Sequence, residues 1–340
     1  METERLRKRR ATINDVAAAS GRSRGTVSRV INGEPYVSPD ARQAVEAAIA
    51  RVGYVRNAAA RNLVTRRSNA IALIVHEPHS LFLEDPNIGA ILLGTNSVLS
   101  EADYQLVSLI IDSDRDSQRV IEYLKGGVVD GVIIISARVE DPIALAVSDL
   151  GLPAVCVGHP PGLPGMAFVG IDNFNAARTI TEKLMATDRT SIGMIASGLD
   201  RDSGIERLAG FRAAMGARFD GNLVIERPLY SYRSGMEGMH ELLNRNRHID
   251  GIFAASDAIA AGAIDVLRET GRRVPHDVGV VGFDDSSWAT RCRPALSTVH
   301  QPATELGRLS AQQVLEQLNG WPVRTGGTIL ETTIVWRTSA

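Results

Sequence analysis

Cysteine is almost missing from this sequence: Cys156 and Cys292 are the two in 340 residues. That excludes a disulfide framework and a cysteine-rich metal site, and it fits a reducing compartment. Both read as small core residues. Long apolar runs are missing too. None approaches the roughly 18 residues a membrane span needs, so no membrane partner is expected. The opening METERLRKRR is charged and no apolar stretch follows it, unlike a secretory signal; the expected location is the cytoplasm. The phosphate, dinucleotide, zinc-protease and serine-hydrolase signatures are absent. The seven histidines are scattered without ligand spacing, so neither metal nor cofactor is expected. Asp284 and Asp285 are adjacent, and neighbouring side chains at a strand end point to opposite sides; a carboxylate dyad is not expected there. These absences argue against an enzyme.

Net charge is also scarce, at −2, but the total conceals a split. Residues 1–68 hold 14 Lys and Arg against six Asp and Glu, leaving 23 against 33 for the rest. A basic module on an acidic body suggests an anionic partner. Residues 1–10 read as a basic disordered tail. Within 11–54 the basic residues are threaded through an apolar helical pattern. Thr12 and Asp15 resemble a capping box with Asp in place of Glu, ahead of Ile13, Val16 and Ala17. Gly21–Ser23 forms a tight turn. The stretch from Arg24 to Asn32 presents Val27, Val30 and Ile31 inward, which leaves arginines and hydroxyls outward. Ser38 then caps a third helix that has Pro39 at its first position and Ala41, Val45, Ala48, Ile49 and Val52 as its stripe. Three short helices with a tight first turn match a helix-turn-helix unit, whose second helix lies in a DNA groove. Residues 55–69 read as a linker helix, too short to be stable alone.

From Ala70 the pattern changes to short apolar runs, among them AIALIV, DGVIIIS, SIGMIAS and VGVVGFDD, mostly separated by helical segments. Continuous apolar strands alternating with helices predict parallel sheets covered on both faces. The expected fold is an all-α head plus an α/β body of two doubly wound lobes. The N-lobe is placed at about 70–168 plus 295–326, and the C-lobe at about 169–294 plus 327–340. Ligands of such sheets bind beyond the carboxyl ends of the strands. Those ends carry His76-Glu77, Ser136, His159, Asp172, Asp257 and Asp284-Asp285, a polar set suited to a neutral, polyhydroxylated ligand. Asp172, Asp257 and Asp285 can equally cap the helices that follow. Arg207 is placed near a helix start, which the helix dipole disfavours for a cation, so a ligand contact is expected. Phe82 and Trp288 leave open a stacked purine ligand instead.

The stretches ATINDVAAASGRSRGTVSRVING, YVSPDARQAVEAAIARVGYVRNAAARNL, ERLAGFRAAM, GIFAASDAIAAGAI and RVPHDVGVVGFDD resemble the LacI/GalR family of bacterial transcriptional regulators. The resemblance covers residues 11–337, and RGTVSRVIN, NLVTRRSN and LFLEDP are most similar to a subgroup regulating glucoside or cellobiose use. It implies a homodimeric, nucleoid-associated repressor on a double-stranded operator, with a mono- or oligosaccharide effector in a body like a periplasmic sugar-binding protein. It places Ser23, Arg24, Gly25, Thr26, Ser28 and Arg29 at the major groove and its phosphates, with Thr12, Asn32, Tyr36 and Ser38 on phosphates. Asn57 to Leu63 would fold on DNA, with Ala59 and Ala60 packing closely and Leu63 wedged into the minor groove. Arg56 stands where the family usually has Pro. The implied effector contacts are Asp284, Arg207, Asp257, Gln301, Tyr230 and the end of the first strand. Asn87 and Ile88 replace two aromatics common in the family, and His159 stands where Arg is common. A sugar-binding protein with no regulatory role is the reading from another class.

Overall fold

The computed structural model describes residues 11–55, 67–159, 162–163, 165–322 and 327–340. The chain divides at Ser68/Asn69 into two compact units. The first contains α1 (Ile13–Ser20), α2 (Arg24–Ile31) and α3 (Pro39–Val52). Their shared core is Val16, Val27, Val30, Val45 and Ala48. The Asp15 carboxylate receives both the Thr12 N–H and the Thr12 hydroxyl at 2.7 Å, so Asp does the work Glu does in the common capping box. Ser23 and Ser38 cap α2 and α3 by accepting the N–H groups of Thr26 and Ala41.

The second unit holds two parallel sheets. The first has the order β11-β5-β4-β3-β1-β2, with β1 at Ala70–Val75, β2 at Gln105–Ile110, β3 at Gly131–Ile135, β4 at Ala154–Val157, β5 at Ala167–Ile171 and β11 at Thr328–Leu330. The second is β7-β6-β8-β9, with β6 at Ile192–Ser197, β7 at Val224–Arg227, β8 at Gly251–Ala254 and β9 at Gly279–Val281. An antiparallel ladder joins β10 (Thr298–His300) to β12 (Thr333–Val335). The continuous apolar runs have a simple cause. In β1, Ile71, Leu73 and Val75 enter one core, while Ala70, Ala72 and Ile74 enter the other. A sheet covered on both faces has no solvent side to place polar residues on.

The lobe boundaries differ from the expected ones. β5 belongs to the first sheet, so the chain first crosses after Ile171, not at 168/169. β10 continues the second sheet through bridges from Ser297 to Val281 and from His300 to Asp284, so the return falls after His300 rather than near 295. β11 adds to β5, which moves the last crossing to residues 331–332 from 326/327. Apolar periodicity marks a strand but not the sheet it joins.

α4 (His79–Glu84) and α5 (Pro86–Glu101) follow β1, α6 (Asp114–Lys125) follows β2, and α7 (Pro142–Asp149) follows β3. α8 (Asn173–Met185) and α9 (Asp202–Met215) pack together in the C-lobe, as do α10 (Tyr232–Arg245) and α11 (Asp257–Glu269). The short α12 (Ser287–Arg291) comes next. α13 (Ala303–Leu318) returns to pack on α5. There the backbones nearly touch. A Cβ on Gly94 would collide with the Thr304 carbonyl, and one on Gly307 with that of Ile91. Gly89, on the same helix, faces open space. Gly94→Ala is therefore expected to cost about 1–3 kcal/mol. Gly89→Ala should stabilise by about 0.5–1 kcal/mol. Calorimetry of the two variants side by side checks the pair by opposite shifts in Tm.

Candidate functional site

The head and the body each carry a candidate site. In the head, Val27 and Val30 take α2's buried face, leaving Arg24, Gly25, Arg29 and Asn32 exposed, with Thr26 and Ser28 half-buried beside them. Arg24 has no ion pair or side-chain hydrogen bond among the described residues and is free to reach a base edge. Arg29 has Glu34 at 3.8 Å, a loose surface pair that a phosphate can replace. Gly25 has only the Ser23 hydroxyl near its missing Cβ, so the helix surface is open there. Tyr36 is 93% exposed, an unusual position for an aromatic ring without a partner surface. Thr12, Ser23 and Ser38 are engaged in capping. Asn57, Ala60 and Leu63 lie outside the described residues.

In the body, a cavity opens at the carboxyl ends of the strands of both sheets, as the fold rule requires. Ser136 after β3, His159 after β4, Arg207 on α9, Tyr230 after β7, and Asp284 and Gln301 around β10 all line it. Those six came from the sequence. Arg207 is its electrostatic centre. It is 5% exposed and donates to Asn173 Oδ1 at 2.9 Å and to the Ala255 carbonyl at 2.7 Å. Its guanidinium stacks 3.6 Å from the Phe283 ring centroid and stands 3.6 Å from Asp284 Oδ1. Asp284 also accepts from Gln301 Nε2 at 2.6 Å. Burial raises the Asp284 carboxyl well above its ordinary range, with Arg207 opposing. Asp284 has φ 116° and Ser136 φ 61°. Non-glycine residues in that region carry strain, which concentrates at ligand sites. Tyr230 lies 5.7 Å from Arg207 and 5.9 Å from the Arg201 guanidinium, held against Gly198. Any Cβ on Gly198 would strike the Tyr230 ring.

Three expected ligand residues lie elsewhere. Phe82 packs against the hydrophobic core, because α4 turns its apolar face inward. Asp172 is exposed and caps α8, receiving the Asn175 N–H at 2.9 Å; its neighbour Asn173 enters the cavity instead. Asp257 is fully buried and pins the chain after β9, taking the Thr298 hydroxyl at 2.6 Å and the Ser286 N–H at 2.7 Å. The purine reading loses both its rings: Trp288 stacks on Tyr232, with centroids 5.8 Å apart, and neither it nor Phe82 lines the cavity.

Sequence reasoning named Glu77 and His159 as strand ends, but it missed Arg138, Asp200, Arg201 and Asp202 and the pairs that join the lobes. Glu77 pairs with Arg201, Arg138 approaches Asp200 at 3.2 Å, and His159 stands 3.7 Å from Asp202. The Val139 N–H donates to the Asp200 carbonyl at 2.9 Å. Glu77 and Arg201 lie 124 positions apart, a separation no local pattern reports. Asp85 was also missed. It caps α5 through the Asn87 N–H at 2.9 Å and lines the cavity. Burial, against the Asn87 hydrogen bond and helped by Glu77, raises its carboxyl to about 6. A raised folded-state value stabilises below the ordinary range near 3.8, and that contribution is lost as pH rises through about 6. Asp85→Asn keeps a capping side chain. It is expected to raise stability on the order of 1–3 kcal/mol at pH 7.5 and hardly at all at pH 4. Thermal melts at the two pH values check it.

A helix-turn-helix head on a two-lobed body, with its cavity between the lobes, defines a ligand-responsive DNA-binding regulator. Residues 12–57 match the family described as bacterial regulatory proteins, lacI family, and residues 181–340 match the periplasmic binding protein-like domain. The HTH-type transcriptional regulator CelR of Thermobifida fusca is 41% identical over 98% of this chain and 99% of its own. The regulator RegA of Clostridium saccharobutylicum is 32% identical over 96% and 98%. Among solved structures, a CelR–cellobiose complex superposes with TM-score 0.78 at 38% identity, covering 97% of this chain and 100% of that one. A lac repressor dimer bound to operator gives TM-score 0.85 at 25% identity, covering 97% and 99%. The chain belongs to the LacI family of bacterial transcriptional regulators. It is a DNA-binding regulator and not an enzyme.

Proposed function

We propose that this protein is a cytoplasmic repressor of carbohydrate-use genes. It binds a pseudo-palindromic operator as a homodimer and is released when a mono- or oligosaccharide enters the cleft between its lobes. The observation that carries the reading is the cavity: hydroxyls, amides and carboxylates from both lobes surround Arg207 and Tyr230. Such a wall suits a ligand that offers many hydroxyls and one flat apolar face. Cellobiose is the first candidate, since the CelR relative is described in complex with it. Asn87 and Ile88 in the wall make a second saccharide the natural alternative.

Ligand binding can shift the DNA equilibrium only through unequal affinity for the two lobe arrangements, and a tenfold release corresponds to about 1.4 kcal/mol of coupling. The test is fluorescence anisotropy on DNA from upstream of the protein's own gene, titrated with glucosides, galactosides, pentoses and purines. Release by one saccharide is the expected result. Tightening of the complex by any ligand would replace induction with corepression.

A further inference from the structure

Resting on the saccharide reading above, we infer that Arg138 and Asp200 are positioning residues: with their neighbours they form a clasp between the lobes that favours the saccharide-bound arrangement from outside the ligand cavity. The clasp closes on one short loop, residues 198–202, between β6 and α9. Three N-lobe strand ends reach that loop. Glu77 after β1 pairs with Arg201, Arg138 after β3 stands 3.2 Å from Asp200, and His159 after β4 stands 3.7 Å from Asp202. The Val139 N–H donates to the Asp200 carbonyl at 2.9 Å. Neither Arg138 nor Asp200 lines the cavity, whereas their chain neighbours Ala137 and Arg201 do.

The topology gives the clasp leverage. The lobes are joined covalently at the crossings after β5, β10 and β11. In its sheet β1 stands three places from β5, and in the other sheet β6 stands two places from β9, which β10 continues. At the usual strand spacing that is about 10–15 Å from the crossings. A contact at such a distance from a pivot fixes an angle that the crossings leave free. Each jaw is stiff. On the N-lobe, the buried Asp141 carboxylate holds His76 Nδ1 at 2.8 Å and receives the N–H groups of Arg138 at 3.2 Å and Ile143 at 2.9 Å, so the ends of β1 and β3 move together. On the C-lobe, a Cβ on Gly204 would strike the Ser197 and Gly198 carbonyls, so the loop is pressed onto α9. Parting the clasp therefore draws Ser136 and Ala137 away from Ser203 on the opposite cavity wall. That loss falls on the arrangement in which one saccharide touches both walls. The Arg138 and Asp200 side chains are 33% and 44% exposed, so salt screens their attraction. The contacts of a neutral saccharide carry no such dependence of their own.

The test uses the full-length protein, DNA from upstream of its own gene, and cellobiose beside the other glucosides, galactosides and pentoses of the titration above. Arg138→Glu sets a carboxylate against Asp200. It is expected to keep its Tm within a few degrees, to bind the saccharide about threefold or more weakly in calorimetry, and to bind operator about threefold or more tightly in anisotropy. One shifted equilibrium moves the two affinities in opposite directions, which a merely structural contact would not do. Arg138→Lys should restore both. Raising salt from about 50 to 300 mM should weaken saccharide binding to the wild type and leave that of Arg138→Gln nearly unchanged. Affinities in Arg138→Glu that both stay at the wild-type values, or that fall together, would reduce the clasp to a surface contact with the saccharide reading intact. Shifts in the reverse sense would overturn its assignment to the saccharide-bound arrangement. If no sugar binds, the reading it rests on falls, and operator binding decides the clasp alone: tightening in Arg138→Glu upholds it, and no change removes it.

Discussion

Arg207→Met is expected to leave the protein unable to respond to its saccharide, with affinity for the ligand down by a hundredfold or more. The guanidinium is fully committed: it orients Asn173, anchors the Ala255 carbonyl, lies on Phe283 and faces Asp284. Methionine restores the packing on Phe283 and none of the polar contacts. Removing one partner of a buried charge pair also leaves the other uncompensated, at about 3–5 kcal/mol, so Tm should fall as well. The pH dependence of that loss has a definite sign. Asp284 already holds its proton to higher pH than an ordinary carboxyl, because of burial. Without Arg207 it will hold it higher still, and a protonated Asp284 needs no cation. The destabilisation should therefore shrink as pH falls toward 4 and grow toward neutrality. Adding Asp284→Asn should recover part of the Tm but none of the ligand affinity. Recovery of both would mean that Arg207 acts only as a structural counter-ion.

The second large effect is expected in the head. Arg24→Ala should weaken the best operator by about 1–3 kcal/mol per half-site and flatten the preference at one base pair. Arg24 is the first residue of α2, is exposed, and has no competing partner within the described chain, so its guanidinium is free for a bidentate contact with guanine. Arg29, at the other end of α2 and loosely paired with Glu34, should behave differently. Arg29→Ala is expected to weaken all DNA about equally and to reduce the salt slope by about one per lost phosphate contact. Competition binding against single-base operator variants at two salt concentrations separates the two roles. An unchanged ranking of variants in Arg24→Ala would move base readout elsewhere on the head.

Much of this was legible in the residues because it is local. The Thr12–Asp15 cap, Pro39 at the start of α3 and the continuous apolar strands each express a short-range rule, and each lies where the rule puts it. β7 escaped because VIER is an edge strand, polar at half its positions. Asp172 and Asn173 differ by one residue, and that step decides between capping α8 and entering the cavity; sequence polarity cannot resolve it. Asp257 has the composition of a ligand carboxylate but the surroundings of a structural one, with Ser286 brought to it by the segment after β9 and Thr298 by β10 of the same lobe. Glu77 was visible as the polar end of β1. Its meaning depends on Arg201, which reaches it from the other lobe.

The most direct measurement is the linkage between the two sites. The saccharide's Kd is measured with and without saturating operator, and the operator's Kd with and without saturating saccharide. The expected result is equal factors, with operator weakening the saccharide as much as the saccharide weakens operator, as reciprocity demands of one coupled equilibrium. Saccharide binding that is just as tight on the operator-bound protein would contradict the claim that cleft occupancy controls the head.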